Sequence, residues 1–226
     1  MVVFFMLFEE NMTVQEIDKI RYDVLGPKVV KALENKYYEA YYCSSVKEGV
    51  KKALSLIPQN SIVSWGGSQS CVDSGLIDCV KNGNYKIIDR DSAKTPEERY
   101  NLMRDALFSD VYLTSFNAIS EDGTIYNIDG NGNRVAAITF GPKSVVALVG
   151  MNKICHTSED AFVRAKQVAA VRNATRFGLK TTGCAVTGNC QNCYSSECIC
   201  SVIQTLRFCK NKNRIKIILV GEELGF

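Results

Sequence analysis

Residues 144–149 read Ser-Val-Val-Ala-Leu-Val, and this run decides the fold. It is apolar and rich in β-branched side chains, as a central strand of a parallel sheet covered on both faces should be. Shorter runs of the same kind surround it: Ser61–Trp65, Lys86–Asp89, Val111–Ser115 and Ile215–Val220. Helical patterns lie between them. Thr13–Leu33 carries Val14, Ile17, Ile20 and Val24 at helical spacing with Thr13 as N-cap, and Gly26-Pro27 is expected to break or kink it. Tyr37–Tyr42 reads as a strand, and Ser45 opens a helix through Leu54. Cys71–Val80 reads as one helix. Thr95-Pro96-Glu97-Glu98 starts another that runs to about Phe108.

Beyond these, Thr124–Ile128 and Val135–Phe140 read as strands flanking the turn Asp129-Gly130-Asn131-Gly132-Asn133. Thr157–Phe177 is a long helix, and Ile199–Phe208 is also read as helical. Strands alternating with helices predict an α/β fold: a three-layer α/β/α sandwich with a mostly parallel sheet, in one domain over 1–226. The 226 residues are 46% hydrophobic and 23% charged, enough for a substantial core. A net charge of +3 does not indicate a nucleic-acid surface. The apolar opening of eight residues is read as a short strand or docking segment, since no charged start or cleavage site accompanies it. No run approaches a membrane span. The expected setting is the reducing cytoplasm, where clustered thiols bind metal more often than they pair.

Five of the ten cysteines, at 184, 190, 193, 198 and 200, fall within seventeen residues. Cys190 and Cys193 are separated by a loop of two residues that lets both sulfurs face one point, and Cys184 and Cys200 lie close enough to complete a four-thiolate site. With His156 the sole histidine, a Cys2His2 site is excluded. Four thiolates suit tetrahedral Zn²⁺ or a cubane iron–sulfur cluster. The spacing matches neither a ferredoxin run nor a zinc ribbon, so a disulfide loop or free thiols stay open.

Gly66-Gly67-Ser68 follows a strand and precedes a helix, where ligands collect at the carboxyl edge of a parallel sheet. The glycines let N–H groups approach a phosphate, carboxylate or CoA-like anion, or simply form a tight turn. A second constellation comprises Asn117, Glu121, Asp122, Asn127, Asp129, Asn133 and Arg134. Arg134 could clamp a carboxylate and Glu121 act as acid, base or nucleophile, against the alternative of turn residues and a salt bridge. Lys153 ends the central strand and is a further ligand-binding candidate. His156 is read as a helix-entry residue, and Arg164, Lys166, Arg172 and Arg176 as a solvated helix face.

Together these segments resemble the LUD-domain (lactate-utilization, formerly DUF162) family. The resemblance is carried by WGGS at 65–68, IDRD at 88–91, EER at 97–99, the block NAISEDGTIYNIDGNGNRVAAITFGPK at 117–143, VGMNKI at 149–154 and RIKIILVGEELGF at 214–226. The family's cysteine-bearing tail matches as Cys184, Cys190, Cys193 and Cys200, with Cys198 an additional thiol that could substitute for one of them. The resemblance implies a NagB/RpiA/CoA-transferase-like fold. It also implies a subunit of an iron–sulfur ([4Fe–4S]) oxidoreductase system oxidising L-lactate to pyruvate, with redox partner subunits; a homodimer is compatible with it. The alternatives are a CoA-transferase or isomerase-like enzyme on an acyl or sugar-phosphate substrate with structural zinc, or a non-catalytic assembly subunit.

Overall fold

A computed structural model describes residues 12–226; the segment read as an opening strand, residues 1–8, lies outside the described residues. Chain order is α1 (Val14–Asn35), β1 (Glu39–Cys43), α2 (Val46–Ser55), β2 (Ile62–Trp65), α3 (Gln69–Asp73), α4 (Leu76–Lys81), β3 (Lys86–Ile88), α5 (Pro96–Asp105), β4 (Val111–Thr114), β5 (Ala118–Ser120) and β6 (Ile125–Asp129). There follow α6 (Asn133–Thr139), β7 (Ser144–Gly150), β8 (Ile154–Cys155), α7 (Ser158–Arg164), a π turn (Ala165–Ala169), α8 (Ala170–Arg176), α9 (Gly183–Thr187), β9 (Val202–Leu206) and β10 (Ile215–Val220).

Six strands form a sheet in the order β1-β10-β7-β4-β2-β3, every neighbouring pair parallel. In β7, Val145, Ala147 and Val149 point to one face, against Val29 and Leu33 of α1 and Ile138 of α6. Val146 and Leu148 point to the other, against Ala53 of α2, Cys71 of α3 and Leu76 and Val80 of α4. Helices therefore cover both faces, as the unbroken apolar run requires. This is a three-layer α/β/α arrangement, with the cysteine-rich segment near the carboxyl end. A second sheet, β8-β5-β6-β9, stands beside it and packs on α7 and the π turn through Ala118, Ile128, Ala161 and Ala165.

The expected helix starts are present. Thr13 and Thr157 close capping boxes with Glu16 and Asp160, while Ser45 and Thr95 cap α2 and α5. Four expectations need correction. The first helix is not broken at Gly26-Pro27 but runs continuously to Asn35. Its core face is Tyr22, Gly26, Val29 and Leu33, whereas Val14, Ile17, Ile20 and Val24 are exposed. Cys71–Val80 is two short helices, because Gly75 takes a left-handed conformation (φ +73°) between them.

Residues 135–139 belong to helix α6, not a strand, and Phe140 is its extended C-cap. Asp129 accepts the Val135 N–H at 3.3 Å and the helix buries Val135, Ala137 and Ile138. Residues 202–206 form β9, not a helix: the segment pairs antiparallel with β6 from Val202 opposite Asp129 to Leu206 opposite Ile125.

Core placement on α1 can be tested by truncation. Leu33→Ala should destabilise the protein by about 2–5 kcal/mol, whereas Ile20→Ala should stay within ~0.5 kcal/mol, both read from denaturant unfolding.

Candidate functional site

The parallel strands all end on one edge, and four chain segments leaving it, with the β6–α6 turn of the second sheet, surround a cavity of about 520 Å³. Gly67 and Ser68 follow β2, Arg90 follows β3, and Ser115 to Asn117 follow β4. Asp129 to Arg134 come from the β6–α6 turn, and Lys153 follows β7. Asn173 and Arg176 of α8, residues 196–199 of the cysteine segment and the terminal Phe226 complete the wall.

Of the residues singled out in the sequence, Gly67, Ser68, Asn117, Asp129, Asn133, Arg134, Lys153 and Cys198 meet here. Gly66 lies behind the wall, where an added Cβ would come within 2.8 Å of the Tyr112 hydroxyl. Glu121 is off the wall, its carboxylate 3.3 Å from Nδ1 of the exposed His156. Asp122 is also elsewhere: it accepts Lys36 Nζ at 3.0 Å and the Thr124 N–H at 3.0 Å, and with burial outweighed by these bonds its carboxyl is held down to about 2.

Arg134 is a brace. Its Nη1 donates to the Ser115 carbonyl (3.3 Å) and Asn127 Oδ1 (3.1 Å), and its Nη2 to Asn117 Oδ1 (3.1 Å) and the Ile128 carbonyl (2.6 Å). Its Nε lies 3.5 Å from Asp129. The expected bidentate clamp is therefore not available from this guanidinium as placed. Asn127, fully buried, is bonded to Arg134 and Gln204, so it supports the wall from behind.

Asp129 is likewise spent on the N–H groups of Asn131, Gly132 and Val135. Glu197, the other carboxylate on the wall, accepts the Lys180 and Thr181 N–H groups and the Thr181 hydroxyl. The cavity thus gathers four basic side chains, Arg90, Arg134, Lys153 and Arg176, against two acidic ones already engaged.

Arg90 and Arg176 were missed as site residues. Arg90 Nε is buried without a hydrogen-bond partner among the described residues, and its nearest carboxylate, on Asp91, is 3.8 Å away. Asn173 Oδ1, on the same wall, is also buried and unpartnered among the described residues. Arg176, read as part of a solvated face, instead reaches across to the Gly67 carbonyl (3.3 Å) and Gln69 Oε1 (3.1 Å) and lies over the Phe177 and Phe226 rings. A Cβ on Gly67 would sit 2.7 Å from Arg90 Nη2, so the guanidinium would have to shift. Ser68 caps the five-residue α3 through a 3.4 Å bond from the Cys71 N–H.

Lys153 is 2% exposed and donates to Ser70 Oγ (2.6 Å) and Ser115 Oγ (3.1 Å). No carboxylate lies within ion-pair distance of it among the described residues. Burial first, then repulsion from Arg164 and Arg134, bring its amine down to about 7.

The cysteine segment is pinned to the same region. The Cys190 N–H donates to Gln167 Oε1 at 3.2 Å, and Lys166 Nζ to Asn192 at 3.0 Å. None of the ten cysteines is in a disulfide. Backbone N–H groups of Gly183 and Ser195 favour the Cys193 thiolate and lower its pKa. Burial and the neighbouring thiols of Cys198, Cys190 and Cys184 push Cys200 up to about 12. Among the described residues, however, no three Cys, His, Asp or Glu side chains are drawn together as a metal-ion donor group. The donor chemistry suits a thiophilic centre, although the sulfurs are not gathered around one point.

The Lys153 shift fixes the sign of a pH effect. Between about pH 7 and 10.5 the unfolded chain holds the proton and the folded chain does not, so stability from this group rises with pH across that window. Below about 7 the penalty is complete. Lys153→Met removes it and should stabilise the protein by on the order of 2–4 kcal/mol at pH 7, with the advantage shrinking toward pH 10.5 in denaturant unfolding.

No curated protein matches the sequence. Among solved structures the chain is similar to a crystal structure of a DUF162 family protein from Deinococcus radiodurans, with 13% identity over 88% of this chain and 97% of that one and a TM-score of 0.47. No helix among the described residues is long and apolar enough to cross a membrane. The model of the LUD domain matches residues 26–220, most of the chain and all of the cavity wall except Phe226. The chain therefore belongs to the LUD domain family.

Proposed function

We propose that this chain is a lactate-utilization-type protein that binds a small 2-hydroxy or 2-oxo carboxylate in the strand-edge cavity. It would serve as a subunit of an iron–sulfur oxidoreductase system interconverting L-lactate and pyruvate. The observation that carries this reading is the excess of basic over acidic side chains on the cavity wall, part of which is the cysteine segment. Arg90, with its partnerless Nε, takes the substrate carboxylate. The Ser115 hydroxyl and the Lys153 amine stand where they can hold the C2 oxygen and accept or return its proton, an amine near neutrality being suited to both directions. Asn173 Oδ1 offers an acceptor to the same ligand.

Cys184, Cys190, Cys193 and Cys200, with Cys198 as substitute, would hold the cluster, and a [4Fe–4S] centre there would supply one-electron transfer to a partner subunit. Arg134, Asn117, Asn127 and Asp129 keep the wall in shape. Zinc in the same thiols would make the segment structural. A transferase reading resting on Glu121 is disfavoured by its position outside the cavity, beside His156.

Anaerobic purification followed by iron analysis and lactate and pyruvate binding tests the proposal. Iron and the broad visible absorbance of an iron–sulfur protein are expected in the parent and lost in Cys190→Ser; stoichiometric zinc without iron would contradict the redox part. Arg90→Gln should weaken carboxylate binding by on the order of tenfold or more, the loss of one charge-assisted contact; undiminished affinity would contradict the carboxylate site.

A further inference from the structure

Lys153 is used only in part by that reading. Lysines reach catalytic reactivity as neutral amines, either desolvated or set beside another cation, and the chain arranges both around this one. Its Nζ has two hydroxyl partners, Ser70 and Ser115, and no carboxylate among the described residues. A neutral amine that donates two hydrogens keeps one lone pair, and this residue lines the cavity. The Ser70 hydroxyl is fixed in turn by the Leu224 carbonyl at 3.2 Å, so the amine is held on a rigid support.

The cations facing it come from separate elements. Arg164 projects from α7, where it bonds the Asn152 carbonyl (3.0 Å) and the Asn117 carbonyl (2.5 Å), and Arg134 projects from α6. Asp73 and the buried Cys71 on α3 exert the opposite pull, which the shift toward neutrality shows to be outweighed. A structural lysine buried this deeply would be expected to carry a partner carboxylate.

We propose that Lys153 captures the carbonyl carbon of a small 2-oxo carboxylate as an imine, the substrate carboxylate resting on Arg90. The Nζ lone pair attacks the carbonyl carbon and forms the C–N bond, while the C=O π pair moves to oxygen and is protonated. The resulting carbinolamine then expels that oxygen. Both hydrogens of the neutral amine leave with it as water, relayed through the Ser115 and Ser70 hydroxyls, and a C=N bond remains. No electrons are gained or lost, so no redox partner is needed. The reverse hydration releases the 2-oxo acid. The proposal rests on the cavity being a carboxylate site, and it adds a covalent step independent of any metal.

The test is reductive trapping on the full-length chain. Pyruvate and cyanoborohydride are added near pH 7, with intact-mass and peptide analysis, and pyruvate and lactate binding is followed in parallel by ligand-observed NMR. The expected result is one reduced adduct per chain, on the peptide containing Lys153, forming at least about tenfold faster than on any other lysine. Lactate, which has no carbonyl, should slow it by occupying the cavity. Lys153→Met, checked for folding by its unfolding curve, should lose that adduct while surface labelling is unchanged. Adducts spread over surface lysines with Lys153 unmodified would overturn the proposal. Binding of both acids without an adduct at Lys153 would overturn the imine and leave the carboxylate site standing. No binding and no adduct would remove both.

Discussion

Positive charge without a counter-ion governs this molecule. The cavity wall carries four basic side chains, and its two acidic ones are already committed to backbone N–H groups and, for Asp129, to the Arg134 brace. Arg134 in turn is exhausted by carbonyl and amide oxygens. Among the described residues, what remains is Arg90, whose Nε has no hydrogen-bond partner and only a 3.8 Å approach to Asp91, and Lys153, with no carboxylate within ion-pair distance. Such an arrangement costs stability in the empty protein. It is physically reasonable when an anion supplies the missing partner, and binding energy set against local strain of this kind is common at functional sites.

The sheet produces this concentration of charge by geometry alone. Parallel strands align their carboxyl ends, so loops distant in sequence are delivered to one edge. β7 carries the central apolar run to Gly150, and a single tight turn then swings Lys153 inward against Ser115, just after β4, and α3's Ser70. The second sheet provides the opposite wall. Its β6 strand is gripped on one side by β5 and on the other by β9, and the turn beyond it is locked by Asp129. The π turn between α7 and α8 presents Ala169 to the cavity and Gln167 to the cysteine segment, tying the thiols to the site.

Much of the fold was legible because strands enclosed between two helical layers must be apolar on both faces, and β7 and β10 are. The errors arose where a short apolar run has no decisive period. Val135–Thr139 is rich in apolar residues yet is helical, with the Val135 N–H held by Asp129. In Val202–Leu206 the side chains alternate between half-buried and exposed, a period of two that pairing with β6 makes sense of.

The strand-edge loops were legible as a site, and Lys153 among them. Arg90 was visible only as part of a motif, because nothing local reveals that a guanidinium after a short strand lacks a partner. Arg176 was unreadable for the converse reason: its neighbours Gly67 and Phe226 are distant in sequence. For Glu121 the spacing was misleading, since the hairpin turns it toward His156.

Residues 196–199 of the cysteine segment line the cavity, and Cys198 brings one thiol to its wall. The central claim is nevertheless electrostatic, that the cavity awaits an anion. It is tested most directly by an NMR titration of the Lys153 ε-amine, with and without saturating lactate. The account predicts a midpoint of about 7 in the empty protein, moving upward when the carboxylate binds. A midpoint near the ordinary lysine value of about 10.4, unmoved by lactate, would contradict it.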